Sequence, residues 1–219
     1  MEQPRAGSGR WRAVGIAGLQ LVVFAAAVAI VPTIYSSGLR QGQADVVTAQ
    51  RERKDLEQKI IALIVERNPQ ATIRDFAEFP QVLLDVAESV KLDFRVLLAI
   101  ADKESGFHPD TVGGSGEIGL MQILPATAEL VAKRLGLEYT APVAAKPGPY
   151  ASLGSLADPA FNVRVGAEYL RWQIDRYGLN ATALRAYNRN PDKATEDRPL
   201  DRYAEDVSLR YLVLAHALR

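Results

Sequence analysis

The pattern of apolar and polar positions begins with a long apolar stretch near the N-terminus. No residue from Ala13 to Leu39 is charged, and the part from Ala13 to Val31 is almost wholly apolar. As a helix, that part would be roughly 28 Å long, close to the hydrocarbon thickness of a bilayer, about 30 Å. Arginines precede the stretch, whereas only Arg40 follows it closely. This asymmetry predicts a cytoplasmic N-terminus and an exported remainder.

Three N-terminal segments are therefore predicted: a cytoplasmic tail over residues 1–12, a transmembrane helix or signal anchor over 13–35, and a helical juxtamembrane spacer over 36–72. A cleaved signal peptide stays open as the alternative to an anchor, because Ala27-Val28-Ala29 has the A-x-A form of a cleavage site. In the spacer, apolar residues recur at helical spacing among many charged ones, so we interpret it as a solvated helix. The apolar positions are Leu56, Ile60, Leu63 and Ile64.

Residues 73–219 have the pattern of several short amphipathic helices, typified by "FPQVLLDVAESV" and "DFRVLLAIADKES". No alternating run is long enough to predict a sheet, so the fold class is all-α. Residues 137–157 are rich in Pro and Gly and are predicted to be a surface loop. The expected helix boundaries are the caps Asp93 and Asn180, the opening Pro125, the terminating Gly136 and Gly178, and a last start near Asp201.

The amino-acid composition limits which partners and which kinds of site can be expected. With 26 basic and 26 acidic residues the chain is formally neutral, which gives no electrostatic indication of a nucleic-acid partner. The absence of cysteine excludes disulfides and thiolate metal sites. The two histidines, His108 and His216, are far apart in sequence, so we expect no metal site.

One carboxylate occupies an unusual position. On a helical wheel of residues 94–105, Glu104 falls within the apolar arc, between Ile100 and Leu97. Burial and the helix C-terminus both disfavour an ionised carboxylate, so a raised pKa is expected. A general acid working near neutral pH requires such a pKa. The alternative, a frayed helix end with Glu104 in water, is equally compatible with this position alone.

Three ordered motifs accompany this glutamate: "ESGFHPDTVGGSGEIGLMQILPATA" at 104–128, "DPAFNVRVGAEYL" at 158–170 and "AYN" at 186–188. They resemble the motifs of the lytic transglycosylase domain, the lysozyme-like module named for soluble lytic transglycosylases. The resemblance covers roughly residues 80–215. It implies a helical, goose-type-lysozyme/transglycosylase domain over residues 73–219 that requires no metal or organic cofactor.

The resemblance also implies a mechanism, in which Glu104 is the single catalytic acid. Such a glutamate protonates the glycosidic oxygen between N-acetylmuramic acid and N-acetylglucosamine, then acts as a base on the muramoyl 6-hydroxyl to close a 1,6-anhydro ring. Tyr187 would stabilise developing positive charge or orient the carboxylate, whereas Tyr203 and Tyr211 are equally compatible with core roles. The residues matched to substrate-binding positions are Ser105, Ser115, Gly119, Met121, Gln122, Tyr187, Asn188, Tyr203 and Tyr211.

The sequence departs from the family pattern at sugar-binding positions. Gly113 stands where many relatives have a serine, for which Ser115 is the nearest replacement. Arg189 follows Asn188 where relatives often have a small residue, and residues 199–204 replace the family's E-T-x-x-Y-V segment. None of these changes affects Glu104.

Two other functions remain open. Ordinary glycosidases use two carboxylates, and Glu117 is the only serious candidate for a second one, which would make the chain a hydrolytic muramidase. A non-catalytic peptidoglycan-binding scaffold of an envelope-spanning machine is the other hypothesis. We predict a membrane-anchored peptidoglycan lytic transglycosylase facing the periplasm or cell exterior, for cell-wall remodelling or local wall opening. Its expected partners are glycan strands, the inner membrane and an envelope-spanning assembly, with no nucleic acid.

Overall fold

The computed structural model describes residues 43–71, 76–145, 150–188 and 202–218. The chain divides into two compact units, Met1–Lys54 and Asp55–Arg219. The described part of the first unit, residues 43–54, is helical and almost entirely exposed. Within the described ranges, no helix has the length and apolar character needed to cross a membrane. The predicted tail and anchor, residues 1–35, lie outside those ranges.

The second unit is helical, as the sequence pattern predicts. Apart from isolated bridges such as Val143 with Ser152, its described residues form helices and connecting loops. The helices are α1 (residues 43–67, which begins in the first unit), α2 (Phe79–Ser89), α3 (Phe94–Ser105), α4 (Pro125–Leu135), a 3-10 turn (Gly154–Ala157), α5 (Pro159–Tyr177), α6 (Ala181–Asn188) and α7 (Arg202–Ala217).

The predicted helix boundaries are confirmed by their capping geometry. The Asp93 side chain accepts a hydrogen bond from the Arg95 amide at the start of α3. Proline occupies the first turn of α4, and Gly136 ends that helix in the left-handed conformation that glycine adopts without a steric penalty. The Asn180 side chain likewise accepts hydrogen bonds from the first turn of α6.

Two packing relationships position the site. Helix α5 contacts α2, α4, α6 and the 3-10 turn, and it buries an apolar face that includes Val163, Ala167 and Leu170. Helix α3 packs mainly against α7. The two run antiparallel, because the C-terminal end of α3 bonds to the start of α7 through Glu104 and Tyr203, whereas the N-terminal end bonds to Tyr211.

The predicted spacer differs from the structure in its second half. The compact second unit begins at Asp55, well before the boundary predicted at residue 73. Ile60 and Ile64 are completely buried in the core of this unit, and Leu56 and Leu63 pack against it. The apolar positions that we assigned to a solvated helix are therefore core positions, since removing them from water stabilises the unit itself.

Candidate active site

Glu104 lies in the last turn of α3 with its carboxylate partly buried. The helix ends one residue later, and Gly106 caps it in the left-handed conformation (φ 57°). The apolar arc of α3 predicted this placement correctly, since Leu97 and Ile100 are fully buried on the same side of the helix. The acid is therefore held by a packed helix next to a turn that breaks away from it.

Two side chains from other helices bond to this carboxylate. The Tyr203 hydroxyl of α7 donates a hydrogen bond to Glu104 Oε1 at 2.5 Å, and the Asn188 side chain at the end of α6 also bonds to the carboxylate. Burial raises the pKa of Glu104 above its ordinary value, while the bonds from Tyr203 and Asn188 and the Lys103 charge lower it part of the way back. Because burial prevails, Glu104 keeps its proton to higher pH than an ordinary glutamate, and hydrogen-bond donors to the ionised form are already in place.

The contact between α3 and α7 extends through the two residues before the acid. Lys103 Nζ lies 2.5 Å from Asp206 Oδ2, and this hydrogen bond lowers the pKa of Asp206. Asp102, which is largely shielded from solvent, forms an ion pair with Arg210 at 3.1 Å. Three consecutive residues of the last turn of α3 are thus bonded to α7, which fixes the position of Glu104 relative to Tyr203.

Ser105 connects the helix to the glycine-rich loop. Its hydroxyl lies 2.9 Å from the Leu120 carbonyl and 3.1 Å from the Ala101 carbonyl, so it donates to these backbone oxygens. Gln122, which has a positive φ of 48°, donates from its amide nitrogen to the Thr111 and Gly119 carbonyls at 3.0 and 2.9 Å. Both side chains, predicted to bind substrate, therefore bond to the protein in this structure and hold the loop beside the acid.

Asn162 was not among the predicted site residues, yet it organises the same loop. It is fully buried on α5; its side chain accepts from the Met121 amide at 2.8 Å and donates to the Ile118 and Leu156 carbonyls at 3.0 and 2.9 Å. Gly119 lies against it (φ 85°), and a Cβ there would be 2.2 Å from Asn162 Nδ2. The signal in the sequence was an asparagine among the mainly apolar residues of the buried face of α5.

Met121 and Tyr187 form a buried support rather than a solvent-facing wall. Met121 is fully buried and packs on α5, where a Cβ on Gly166 would be 2.5 Å from its sulfur. The Tyr187 hydroxyl donates to the Met121 carbonyl at 2.8 Å, and its ring lies against Tyr169. The orienting contact with the acid, which we expected from Tyr187, is made in this structure by Tyr203 and Asn188.

Tyr211 and Ser115 lie away from the acid or make local contacts. Tyr211 donates to Asp93 Oδ2 at 3.1 Å, at the opposite end of α3 from Glu104. The two ends of that helix are roughly 16 Å apart at 1.5 Å per residue. Its predicted role at the sugar site is therefore not supported by its position. Ser115 is exposed, and its amide donates to Glu117 Oε2 at 2.8 Å.

Gly113 and Glu117 share one small space in the loop. A Cβ at position 113 would be 2.6 Å from Gln122 Oε1 and from Glu117 Cγ. The glycine therefore leaves room for the Glu117 side chain to fold back over the loop. Glu117 is the one carboxylate, within the described residues, whose charge contributes to raising the pKa of Glu104, and it is the smallest of the contributions.

The proline-rich loop reaches the same region. The Tyr150 hydroxyl donates to the Gly116 carbonyl at 3.1 Å, which ties residues 150–153 to the glycine-rich loop. The described ranges contain no group of three or more His, Cys, Asp or Glu side chains able to hold a metal ion. The groups described around the glycine-rich loop are the Glu104 carboxylate and hydroxyl and amide donors.

A family model and several known proteins match the part of the chain that contains this site. Residues 84–202 match the family model described as Transglycosylase SLT domain. The chain is 36% identical to a transglycosylase of Enterobacteria phage PRD1 over 47% of its length, and 35% identical to the soluble lytic murein transglycosylase of Escherichia coli K12 over 44%. It spans only 31% and 14% of those two relatives.

A solved structure has the same fold over much of the chain. The lytic transglycosylase Slt of Pseudomonas aeruginosa, solved as an inactive glutamate-to-glutamine mutant, superposes with a TM-score of 0.51 at 25% identity. The match covers 65% of this chain and 25% of that one. The residues that match the family model include Glu104 and the loop that follows α3.

Proposed function

Because this chain belongs to the SLT transglycosylase family, we propose that it is a lytic transglycosylase that cleaves the β-1,4 bond between N-acetylmuramic acid and N-acetylglucosamine in peptidoglycan. The observation that carries the proposal is the environment of Glu104. Its carboxylate is partly buried, its pKa is raised by that burial, and Tyr203 and Asn188 donate to it. A carboxyl group that must first give up a proton and then take one back needs both features.

The proposed reaction consumes no water, because the muramoyl 6-hydroxyl is the nucleophile. Protonated Glu104 gives its proton to the glycosidic oxygen as the bond from that oxygen to the muramoyl anomeric carbon breaks. The resulting carboxylate accepts the proton of the muramoyl 6-hydroxyl, whose oxygen bonds to the anomeric carbon and forms the 1,6-anhydro ring. Tyr203 and Asn188 stabilise the carboxylate between these two steps, because hydrogen bonds to an ionised acceptor are stronger than those to a neutral one.

A hydrolytic alternative would require Glu117 as a second carboxylate. Glu117 already accepts the Ser115 amide within its own loop, and its effect on the pKa of Glu104 is the smallest contribution. Both observations favour a local role for Glu117 over activation of a water molecule.

The test is mass spectrometry of the fragments that the full chain, purified in mild detergent, releases from peptidoglycan. We expect products lighter by one water molecule than hydrolysed fragments, and none from Glu104→Gln. Reducing ends would indicate hydrolysis, in which case Glu117→Gln should abolish release. If the folded protein sediments with peptidoglycan and releases nothing, the chain is a scaffold and the enzymatic proposal is wrong.

We further propose that residues 13–35 anchor the protein in the cytoplasmic membrane with the compact unit on the outer side. The support is the uncharged stretch from Ala13 to Leu39 and the arginines before it. An anchor would restrict cleavage to wall close to the membrane, which suits local wall opening beside an envelope-spanning assembly. After cell fractionation, the full-length chain should stay in the membrane pellet through an alkaline wash. A shortened chain in the soluble exported fraction would instead indicate a cleaved signal peptide.

A further inference from the structure

A buried asparagine in front of the family-matched region bonds to the turn that follows the catalytic acid. Asn68 follows α1 and is only 2% exposed. Its amide nitrogen donates to the Phe107 carbonyl at 2.9 Å, across 39 positions of sequence. Its amide oxygen accepts from the Gln70 backbone amide at 3.0 Å, which fixes the orientation of the side chain.

The backbone at Phe107 has a conformation that other groups must stabilise. Gly106 and Phe107 have φ values of 57° and 64°, so the chain leaves α3 through two consecutive left-handed residues. Glycine adopts this conformation freely, whereas a residue with a bulky side chain does so only when its surroundings hold it there. The Phe107 ring is fully buried, and the bond from Asn68 holds its carbonyl.

The position of Asn68 is itself fixed by the core. Ile60 and Ile64 precede it in α1 and are completely buried. The backbone N–H of Asn68 donates to the Ile64 carbonyl at 2.7 Å. A continuous path of packed and hydrogen-bonded groups therefore runs from α1 through Asn68 to Phe107, three residues after Glu104.

We propose that Asn68 is a positioning residue for Glu104, so that the segment predicted to be a spacer forms part of the catalytic unit. The proposal deepens the function proposed above and rests on it. Asn68 lies outside residues 84–202, the part that matches the family model. Asn68 acts by holding the turn after α3, which sets where the last helical turn ends and where the Glu104 carboxylate lies relative to the Tyr203 hydroxyl.

The test compares Asn68→Ala with Leu56→Ala in the full chain in mild detergent. Leu56 packs against the core from the helix that precedes Asn68, and its truncation leaves the bond to Phe107 intact, so Leu56→Ala controls for loss of stability alone. Asn68→Ala should lower kcat on purified peptidoglycan on the order of tenfold with KM nearly unchanged, because misplacing a reacting group affects the chemical step. Leu56→Ala should leave both constants as in the wild type.

A second readout does not depend on turnover. Titration of the Glu104 carboxyl by NMR should give a different pKa in Asn68→Ala and in the wild type, because both its exposure to water and its bond from Tyr203 depend on the turn. The pKa should not change in Leu56→Ala. If Asn68→Ala does not fold, Asn68→Ser replaces it; serine retains a turn-forming oxygen for the Gln70 amide but is too short to reach the Phe107 carbonyl.

The outcomes separate the two proposals. Wild-type kcat and an unchanged Glu104 pKa in a folded Asn68 variant would overturn the positioning role, whatever the loss in stability. An inactive wild type would remove the proposed function, and the titration would then decide by itself whether Asn68 positions Glu104.

Discussion

Replacing Tyr203 with phenylalanine removes the hydroxyl that donates to the Glu104 carboxylate and leaves the buried ring in place. The hydroxyl donates to Glu104 Oε1 at 2.5 Å, and Tyr203 is 8% exposed. Burial, then the charge of Glu104, raises the pKa of Tyr203, so the hydroxyl remains a donor over the whole working range. Hydrogen bonds to charged groups contribute about 1.5–3 kcal/mol, and those to neutral groups about 0.5–1.5 kcal/mol.

The hydrogen bond from Tyr203 determines in which direction the pKa of Glu104 changes in this variant. The bond stabilises the carboxylate and so lowers the pKa of Glu104. Tyr203→Phe should therefore raise that pKa further and extend the protonated, proton-donating form to higher pH. The alkaline limb of the pH–rate profile should therefore move to higher pH. The maximal rate should fall about tenfold to a hundredfold, because the carboxylate formed after proton donation loses the same 1.5–3 kcal/mol.

Stability should change in a pH-dependent way as well. Urea unfolding should show a larger loss in Tyr203→Phe above the pKa of Glu104, where the acceptor is ionised, than below it. Tyr211→Phe is the matched control, since it removes the same atom from the same helix at a different carboxylate, Asp93. That variant should lose some stability and leave the alkaline limb of the rate profile unchanged.

An alkaline limb that stays in place or moves to lower pH in folded Tyr203→Phe would contradict this role of the Tyr203 hydroxyl. An equal shift in Tyr211→Phe would also contradict it, because the effect would then come from α7 as a whole.

Three further predictions follow from the same geometry. The folded-state pKa of Glu104 is raised above 4.5, so the stability tied to this group is complete in acid and is lost as pH rises through the folded pKa. Glu104→Gln should therefore resist urea better than the wild type at neutral pH and equally well in acid, and equal unfolding midpoints at neutral pH would contradict this. Asn162→Ala leaves three buried backbone groups without their partner and should cost about 3 kcal/mol in urea unfolding, whereas a loss below about 1 kcal/mol would show that the loop finds other partners. Gly113→Ser should destabilise by about 1 kcal/mol because its Cβ meets Glu117 Cγ and Gln122 Oε1. Glu117→Ala in the same chain should remove part of that cost, since the contact with Gln122 remains; additive losses in the double mutant would refute the shared space.

The sequence by itself determined the helices of the second unit and the place of Glu104 on the apolar side of α3. Helical periodicity, proline and glycine signals and the caps at Asp93 and Asn180 act within a few residues, so they can be interpreted without the fold. The placement of Glu104 on the apolar arc of α3 follows from the same local geometry. The three motifs named the family, because they carry information that periodicity lacks.

Only the tertiary structure decided which side chains bond to the acid and where the compact unit begins. Tyr203 is 99 positions from Glu104 and Asn68 is 39 positions from Phe107, and no local signal reports which of several tyrosines or asparagines packs across such a distance. Tyr211 resembled a site residue as closely as Tyr203 did, yet it lies at the other end of α3 because α7 runs antiparallel to it. The apolar residues of α1 were interpreted as a spacer for the same reason: periodicity shows that a helix has an apolar face, and only packing shows what covers it.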